Sequence, residues 1–241
     1  MDNIALSVRD LKITYKSVSQ INLKNLFSGK KKKIETFEAL KGVSFDVAKG
    51  EILGIVGNNG SGKSTLLRAL AGIYSPDSGS VETYGQSISL MAIGAGFKKN
   101  LSGRDNIILS GLLLGFSKKE VMDKMDEIIE FSGLGARIDK SVRSYSSGMY
   151  SKLAFSITAI LEPDILLIDE VFSVGDKQFK TKSAKKMRQL INDSNRTVVI
   201  VSHNLANLQK LCTRVIWIDA GEIKMSGDPE TVITAYSEAA E

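Results

Sequence analysis

The sequence predicts a single α/β domain over residues 1–241, with a mixed core sheet, an antiparallel β layer and a helical subdomain at about 102–162. An apolar run at 51–56 leads through a glycine-rich turn into a helix-forming segment. Two further apolar runs, at 165–168 and 197–201, each end in polar residues, as buried parallel strands do at the ligand-binding edge of a sheet. The N-terminal segment instead alternates apolar and polar residues, which indicates antiparallel strands with one buried face.

The glycine-rich turn has the spacing of a phosphate-binding P-loop between a strand and a helix. Its glycines let the backbone curl so that N–H groups point at phosphate oxygens, and the positive end of the helix dipole adds to the attraction. Lys63 is expected to reach the β- and γ-phosphates, and the Ser64 hydroxyl to ligate Mg²⁺. The residues expected to bind nucleotide here are Gly57, Asn58, Asn59, Gly60, Ser61, Gly62, Lys63, Ser64 and Thr65.

The N-terminal strands are interrupted by a long polar segment. Alternation is clear in two short stretches and resumes in a third, at Ile4, Leu6, Val8, Leu11, Ile13, Tyr15, Val43, Phe45 and Val47. Residues 16–36 break the pattern and carry four consecutive lysines, Lys30, Lys31, Lys32 and Lys33. We interpret them as a long hairpin tip or an insertion.

The middle of the chain predicts the helical subdomain. A turn at 75–79 precedes a short strand at 80–83, and the apolar stretch 88–97 predicts a strand that runs into a glycine-containing loop. Two capping boxes, each a serine followed three residues later by an acid, predict two helix starts: Ser102 with Asp105, and Ser117 with Glu120. A further amphipathic helix should run from Tyr150 to Leu161, where Pro163 prevents its continuation.

The two later apolar runs end in residues suited to catalysis. Asp169 and Glu170 follow the run at 165–168, with the spacing of a Walker B element in which Asp169 holds Mg²⁺ and Glu170 faces the attacking water. His203, the one histidine of the chain, follows the run at 197–201 and should lie at the same sheet edge. After these elements, the sequence predicts a hairpin over 215–225 and a last helix capped by Asp228-Pro229.

Composition and charge narrow the class of protein. The net charge is +5, and the lysines at 30–33 account for four of these charges, so we expect a local basic segment and no nucleic-acid-binding face. Cys212 is the single cysteine, which rules out a disulfide within the chain and favours a reducing compartment. The sequence has neither a secretory signal nor an apolar run long enough to cross a bilayer.

The order of these motifs resembles the ATP-binding cassette (ABC) ATPases over essentially the whole chain. Ser146, Ser147 and Gly148 lie where that family has its Ser-Gly-Gly signature, and residues 173–176 lie at its D-loop. The resemblance implies that the chain binds ATP and Mg²⁺ and that Asp176 contacts the nucleotide. It further implies that Glu170 is the general base and that His203 contacts the γ-phosphate. It also implies a homodimer in which the signature of one copy closes over the ATP of the other. The aromatic residue that stacks on adenine is Tyr15 or Phe37, with Tyr15 preferred.

Three stretches are similar to the exporters of O-antigen, capsule and teichoic acid: IGAGFKKNLSGRDNI, YSSGMYSKLAFS and LLIDEVFSVGDKQF. The resemblance implies an ATPase subunit on the cytoplasmic face of the bacterial inner membrane, with integral membrane subunits as partners and a lipid-linked polysaccharide as cargo. Alternatives are the ATPase of a transporter for another substrate and a soluble ABC ATPase. We expect no C-terminal carbohydrate-binding domain, because the chain stops at Glu241 soon after the core is complete.

The sequence also departs from the family pattern. Ser147 replaces the first signature glycine, Met149 replaces the usual glutamine, and no glutamine occurs between Met91 and Phe97, where the Q-loop is expected. The lysines at 30–33 have three interpretations: a solvated loop, a contact with anionic lipid, or a contact with the membrane subunit or the lipid-linked glycan. We hypothesise that this insertion helps to recruit substrate and takes no part in hydrolysis.

Overall fold

The structure of the protein is a computed structural model, and it describes residues 3–18, 34–91, 96–169, 176–193 and 195–240. Within these residues the strands form two sheets, a three-stranded antiparallel one in the order β2-β1-β4 and a six-stranded one in the order β5-β6-β7-β3-β8-β9. The strands are β1 Ile4–Val18, β2 Ile34–Ala48, β3 Ile52–Val56, β4 Ser78–Glu82, β5 Ile88–Leu90, β6 Ile165–Ile168, β7 Thr197–Val201, β8 Arg214–Asp219 and β9 Glu222–Gly227. The helices are α1 Lys63–Leu70, α2 Gly103–Leu113, α3 Lys118–Asp123, α4 Met125–Ser132, α5 Ser147–Leu161, α6 Lys177–Ile191, α7 Leu205–Leu211 and α8 Pro229–Ala240. The predicted fold class is confirmed.

The six-stranded sheet is mixed, as predicted. Strands β5, β6, β7, β3 and β8 pair in parallel, and β9 pairs antiparallel to β8. Because β6, β7 and β3 are adjacent and parallel, the residues that follow them meet at one edge of the sheet. This topology brings the P-loop, Asp169 and His203 to the same place.

Apolar clusters cover both faces of the central sheet. Each central strand contributes to both clusters, because successive strand residues point to opposite sides. Leu167 belongs to the cluster between the two sheets, which also contains Leu53, Ile55 and the buried side of α1. Leu166 and Ile168 belong to the cluster on the other face, which includes side chains from α5, α6, α7 and α8. Burial of each such side chain contributes about 1.5–3 kcal/mol to folding, so the sheet edge that carries the site is held by a well-packed core.

The β1–β2 hairpin is longer than the sequence indicates. The two strands pair from Ile4 with Ala48 to Val18 with Ile34, with several register shifts, so β1 is one long irregular strand and not two short ones. The ladder continues into both ends of segment 16–36, which we interpreted as a hairpin tip or an insertion, since Lys16 pairs with Thr36. A backbone ladder can continue through polar residues, because its hydrogen bonds do not depend on apolar side chains. Residues 19–33, with the four lysines, lie outside the described residues.

The helical subdomain has its own apolar cluster, formed by side chains such as Ile107, Val121, Ile128 and Leu153. Both predicted capping boxes are confirmed at the starts of α2 and α3. In the second, Ser117 Oγ accepts from Glu120 N at 3.2 Å, and Glu120 Oε2 accepts from Ser117 N at 2.7 Å. Hydrogen bonds from the Ser117 side chain and backbone lower the pKa of Glu120.

The charge distribution differs from the sequence-based expectation in one respect. Helix α6 carries six basic residues and no acidic one, Lys177, Lys180, Lys182, Lys185, Lys186 and Arg188. The basic excess is therefore not confined to residues 30–33. None of the described helices is long and apolar enough to cross a membrane.

Candidate active site

The P-loop is pressed between two neighbouring segments of backbone, which explains two of its glycines. A Cβ atom on Gly57 would lie 2.1 Å from the carbonyl oxygen of Ile218 in β8. A Cβ atom on Gly62, whose φ is +109°, would lie 2.5 Å from the carbonyl oxygen of Ala39 in β2. Any side chain at these positions would push the loop away from the strands that support it.

The N-terminus of α1 is open. Gly62 precedes the helix in a left-handed conformation, no side chain among the described residues caps the first turn, and the first turn contains no acidic residue. The first N–H groups of a helix have no partner within the helix, and they lie at the positive end of its dipole. This end of α1 is therefore suited to bind an anion such as phosphate.

Lys63 is the first residue of α1, and the residue is only 7% exposed. Its Nζ donates to the carbonyl oxygens of Gly57 at 2.7 Å and Asn58 at 2.8 Å. These two bonds hold the ammonium group across the loop. A positive charge is thus fixed beside the open end of α1.

A cleft of about 290 Å³ lies above the P-loop. It contains most of the predicted site residues together, and its lining consists of Tyr15, Phe37, Ala39, Asn59, Gly60, Gly62, Lys63, Ser64, Thr65, Asp169, Val201 and His203. Three predicted P-loop residues do not line it: Gly57, Asn58 and Ser61. Ala39 and Val201 line the cleft but were not predicted from the sequence. Ala39 follows Phe37 at the two-residue spacing that places strand residues on one face, which could have indicated it.

The two candidate aromatic residues, Tyr15 and Phe37, are paired across the β1–β2 hairpin. Tyr15 is held in place, because its hydroxyl lies 3.0 Å from Thr65 Oγ1 and its ring meets Tyr74 edge-on at 6.1 Å. Phe37 is more exposed, at 58% against 39% for Tyr15. Both rings lie at the rim of the cleft, so the geometry leaves both alternatives for adenine stacking.

The cleft has oxygen donors for a divalent cation. Ser64 offers a hydroxyl and Asp169 a carboxylate, and both line the cleft. Among the described residues no group of three or more His, Cys, Asp and Glu could hold a metal by itself. A hydroxyl and one carboxylate fit Mg²⁺, which takes few protein ligands and completes its shell with phosphate oxygens and water.

The predicted signature and D-loop residues lie elsewhere in the chain. Ser146 precedes α5 and its Oγ accepts from Met149 N at 3.2 Å, while Ser147 and Gly148 form the first turn of that helix. Asp176 caps α6 by accepting from Phe179 N at 3.0 Å, and its carboxylate also pairs with Lys152 of α5. None of these residues lines the cleft.

The ion pair changes the acidity of Asp176. The hydrogen bond from Lys152, followed by the one from the Phe179 backbone, lowers the pKa of Asp176 to about 2. The carboxylate is therefore charged at every physiological pH. Glu170 and residues 171–175 lie outside the described part of the chain, so the predictions for Glu170 and the rest of the D-loop stay predictions.

Several known proteins have sequences related to this chain. The ABC transporter family profile matches residues 40–173. The O-antigen export system ATP-binding protein RfbB of Myxococcus xanthus is 46% identical over 201 residues, which are 83% of this chain and 46% of that protein. The same-named protein of Klebsiella pneumoniae is 45% identical, over 83% of this chain and 81% of that protein. The teichoic acids export ATP-binding protein TagH of Lactococcus lactis is 46% identical, over 90% of this chain and 46% of that protein. The chain thus spans about half the length of two of these three relatives.

Solved structures of ABC proteins have a similar fold. An ATP-binding subunit of an ABC transporter matches with a TM-score of 0.70 at 20% identity, over 97% of this chain and 93% of that chain. A dimeric bacterial ABC transporter cassette matches with a TM-score of 0.66 at 21% identity, over 93% of this chain and 98% of that chain. At this identity the likeness concerns the fold alone. From the profile match and the relatives at 45–46% identity, the chain belongs to the ABC transporter family.

Proposed function

We propose that this chain is the ATP-hydrolysing subunit of an ABC exporter that moves a lipid-linked polysaccharide across the cytoplasmic membrane. The observation that carries the ATPase part is the single cleft in which Lys63, Asp169 and His203 meet at the open end of α1. The polysaccharide part rests on relatives named for O-antigen and teichoic acid export.

In this proposal the P-loop holds the phosphates of ATP. The buried ammonium of Lys63 and the first amides of α1 offset the phosphate charge. Ser64 and Asp169 hold Mg²⁺, which supplies electrostatic stabilisation of the phosphate oxygens when it is bound. Tyr15, or alternatively Phe37, stacks on adenine at the rim of the cleft.

Hydrolysis also needs an oriented water and a group that accepts its proton. We assign the proton acceptor to Glu170, because it directly follows Asp169, a residue of the cleft. His203 lies at the end of the neighbouring strand and contacts the γ-phosphate. Neither role requires a group from outside this sheet edge.

The signature residues act from a second copy in this proposal. Ser146, Ser147, Gly148 and Asp176 lie outside the cleft of their own chain, which supports a site completed by a partner in a homodimer. One solved structure of the same fold is a dimeric ATP-binding cassette bound to ADP and Pi. The dimer would drive integral membrane subunits from the cytoplasmic face of the membrane.

The direct test is Glu170→Gln. ATP binding should persist, whereas turnover should fall by roughly 10² to 10⁴, the usual contribution of a general base. Glu130→Gln, at an exposed position of α4, is the matched control and should hydrolyse ATP normally. Activity of Glu170→Gln within a few-fold of the unaltered chain would remove Glu170 from this role, and absence of ATP binding by the unaltered chain would refute the proposed function.

The N-terminal insertion is proposed to contact the lipid-linked glycan or the membrane. Changing Lys30, Lys31, Lys32 and Lys33 to serine should lower polysaccharide export in cells, because up to about 1 kcal/mol of surface attraction per lysine is lost. ATPase activity of the isolated subunit should stay near normal. Unchanged polysaccharide export by this variant would favour a merely solvated loop. If the unaltered transporter exports another substrate and no polysaccharide, the alternative transporter class is supported.

A further inference from the structure

The C-terminal part of the chain supports the P-loop from behind. Gly221 N, in the β8–β9 turn, donates to Ser61 O at 3.0 Å, and the Ile218 carbonyl packs against Gly57. The Tyr236 hydroxyl, in α8, donates to Asn58 Oδ1 at 3.2 Å. The segment 218–236 thus contacts each of the three P-loop residues that do not line the cleft. One side of the loop meets the ligand, and the other rests on this segment.

Helix α8 is firmly placed. Val232 is fully buried and Ile233 is 7% exposed, in the cluster that covers the outer face of the central sheet. Asp228 accepts from the backbone N–H groups of Glu230 at 3.1 Å and Thr231 at 3.2 Å, as predicted for the cap of this helix. Packing and the cap thus hold α8 in place, and with it the half-buried Tyr236.

An aromatic contact links Tyr236 to the strand that leads into the P-loop. The Tyr236 ring meets Trp217 of β8 edge-on, with centroids 5.6 Å apart. Trp217 lies opposite Val56, the last residue of β3 before the loop. The tyrosine thus spans from a buried anchor in β8 to the exposed side chain of Asn58.

Asn58 connects this contact to the cleft. Its backbone carbonyl accepts from Lys63 Nζ at 2.8 Å and from Ser61 N at 3.1 Å. The position of Asn58 therefore helps to fix both the ammonium group and the curvature of the loop. The Tyr236 hydroxyl holds the Asn58 side chain, and the Asn58 carbonyl holds Lys63, so Asn58 links Tyr236 to the nucleotide site.

We propose that Tyr236 is a positioning residue for nucleotide binding, which holds the P-loop in its binding shape through Asn58. The proposal rests on the proposed function, because it assumes that the P-loop binds ATP. Coupling between two sites is reciprocal, so nucleotide in the cleft should in turn stabilise α8 against β8. Trp217 is the one tryptophan of the chain and lies against Tyr236, so its fluorescence should change when nucleotide binds.

The test is Tyr236→Phe in the full chain, which keeps the ring on Trp217 and removes only the hydroxyl. ATP affinity, measured by equilibrium dialysis with labelled ATP, should fall about two- to tenfold, the range expected for one neutral hydrogen bond. The KM for ATP should rise by the same factor while kcat stays the same. Tyr84→Phe, which removes a hydroxyl from a 54% exposed ring, is the matched control and should bind ATP normally.

A double-mutant cycle separates positioning from general stability. Asn58→Ala should weaken ATP binding, and adding Tyr236→Phe to it should weaken binding no further, because the shared bond is already lost. Additive losses, or equal ATP affinity of Tyr236→Phe and the unaltered chain, would overturn the positioning role alone. Failure of the unaltered chain to bind ATP would instead overturn the proposed function.

Discussion

The N-termini of α1 and α5 are both expected to face phosphate, but they are built in opposite ways. Helix α1 begins after Gly62, without a side-chain cap and with no acid in its first turn. Helix α5 begins after Ser146, whose Oγ accepts from Met149 N. The open end lies in the cleft of its own chain and the capped end does not. The difference indicates that a ligand is needed to pair the first N–H groups of α1. In α5, the Ser146 side chain already caps the first turn before any partner binds.

Other helices support this distinction. Side chains cap α2, α3, α6 and α7, through Ser102, Ser117, Asp176 and Asn204. Helix α4 lacks a side-chain cap, but Asp126 and Glu127 in its first turn offset its dipole. Helix α1 has neither device, so its positive end is left for a ligand.

The largest effect is expected from a Cβ atom at Gly62, the residue that precedes α1. Gly62→Ala should lower the free energy of unfolding by about 2–5 kcal/mol, from a strained left-handed alanine and the overlap with Ala39. Gly60→Ala is the matched control: φ there is +81°, but a Cβ would meet nothing within 4 Å. It should cost only about 1–2 kcal/mol. Equal losses in denaturant unfolding would contradict the close packing of the loop on β2.

At α5 the cap and the expected phosphate contact can be separated. Ser146→Ala removes the cap and should lower the free energy of unfolding by about 1 kcal/mol. Ser146→Asp caps equally well, so its stability should match that of the unaltered chain. Its carboxylate would repel the partner's phosphate, and turnover should fall on the order of 10². Stability is measured by denaturant unfolding and turnover by phosphate release.

Mixed dimers provide the control for this prediction. With Lys63→Ala in one copy and Ser146→Asp in the other, a composite arrangement keeps one intact site and should keep partial activity. With both changes in the same copy, each site loses one part and activity should nearly vanish. Both pairs are purified as heterodimers, so that homodimers do not contribute. Greater activity with both changes in the same copy would mean that Ser146 acts within its own chain, and equal activity would mean that it has no role in hydrolysis.

The features that could be predicted are those set by local sequence or by strand order. The capping boxes at Ser102 and Ser117 depend on residues three apart, and Asp169 and His203 meet because their strands are parallel neighbours. The contact of Tyr236 with Asn58 joins residues 178 positions apart, and no local pattern indicates it. Tyr15 and Phe37 could not be separated because their pairing places both rings at the rim.

The smallest expected effect concerns the capped end of α6, where Asp176 also pairs with Lys152 of α5. The pKa of Asp176 is about 2 in the folded chain, against an ordinary value of 3.8. Because the folded value is the lower one, the carboxylate contributes stability that is fully present above the unfolded pKa. That contribution is lost as the pH falls from about 4 through about 2.

Asp176→Asn tests this window, because asparagine still caps a helix but cannot carry the charge. The variant should be less stable than the unaltered chain at about pH 5.5, and the difference should shrink at about pH 2.5. It should be small at either pH, because the Asp176 side chain is 58% exposed and water screens the pair. Lys152→Met should remove the larger share of this pH dependence, and the part that remains comes from the Phe179 N–H, which still bonds the Asp176 carboxylate. Thermal melts across this range measure the difference, and a gap between the unaltered chain and Asp176→Asn that does not vary with pH would show that the charge of Asp176 does not stabilise the folded chain.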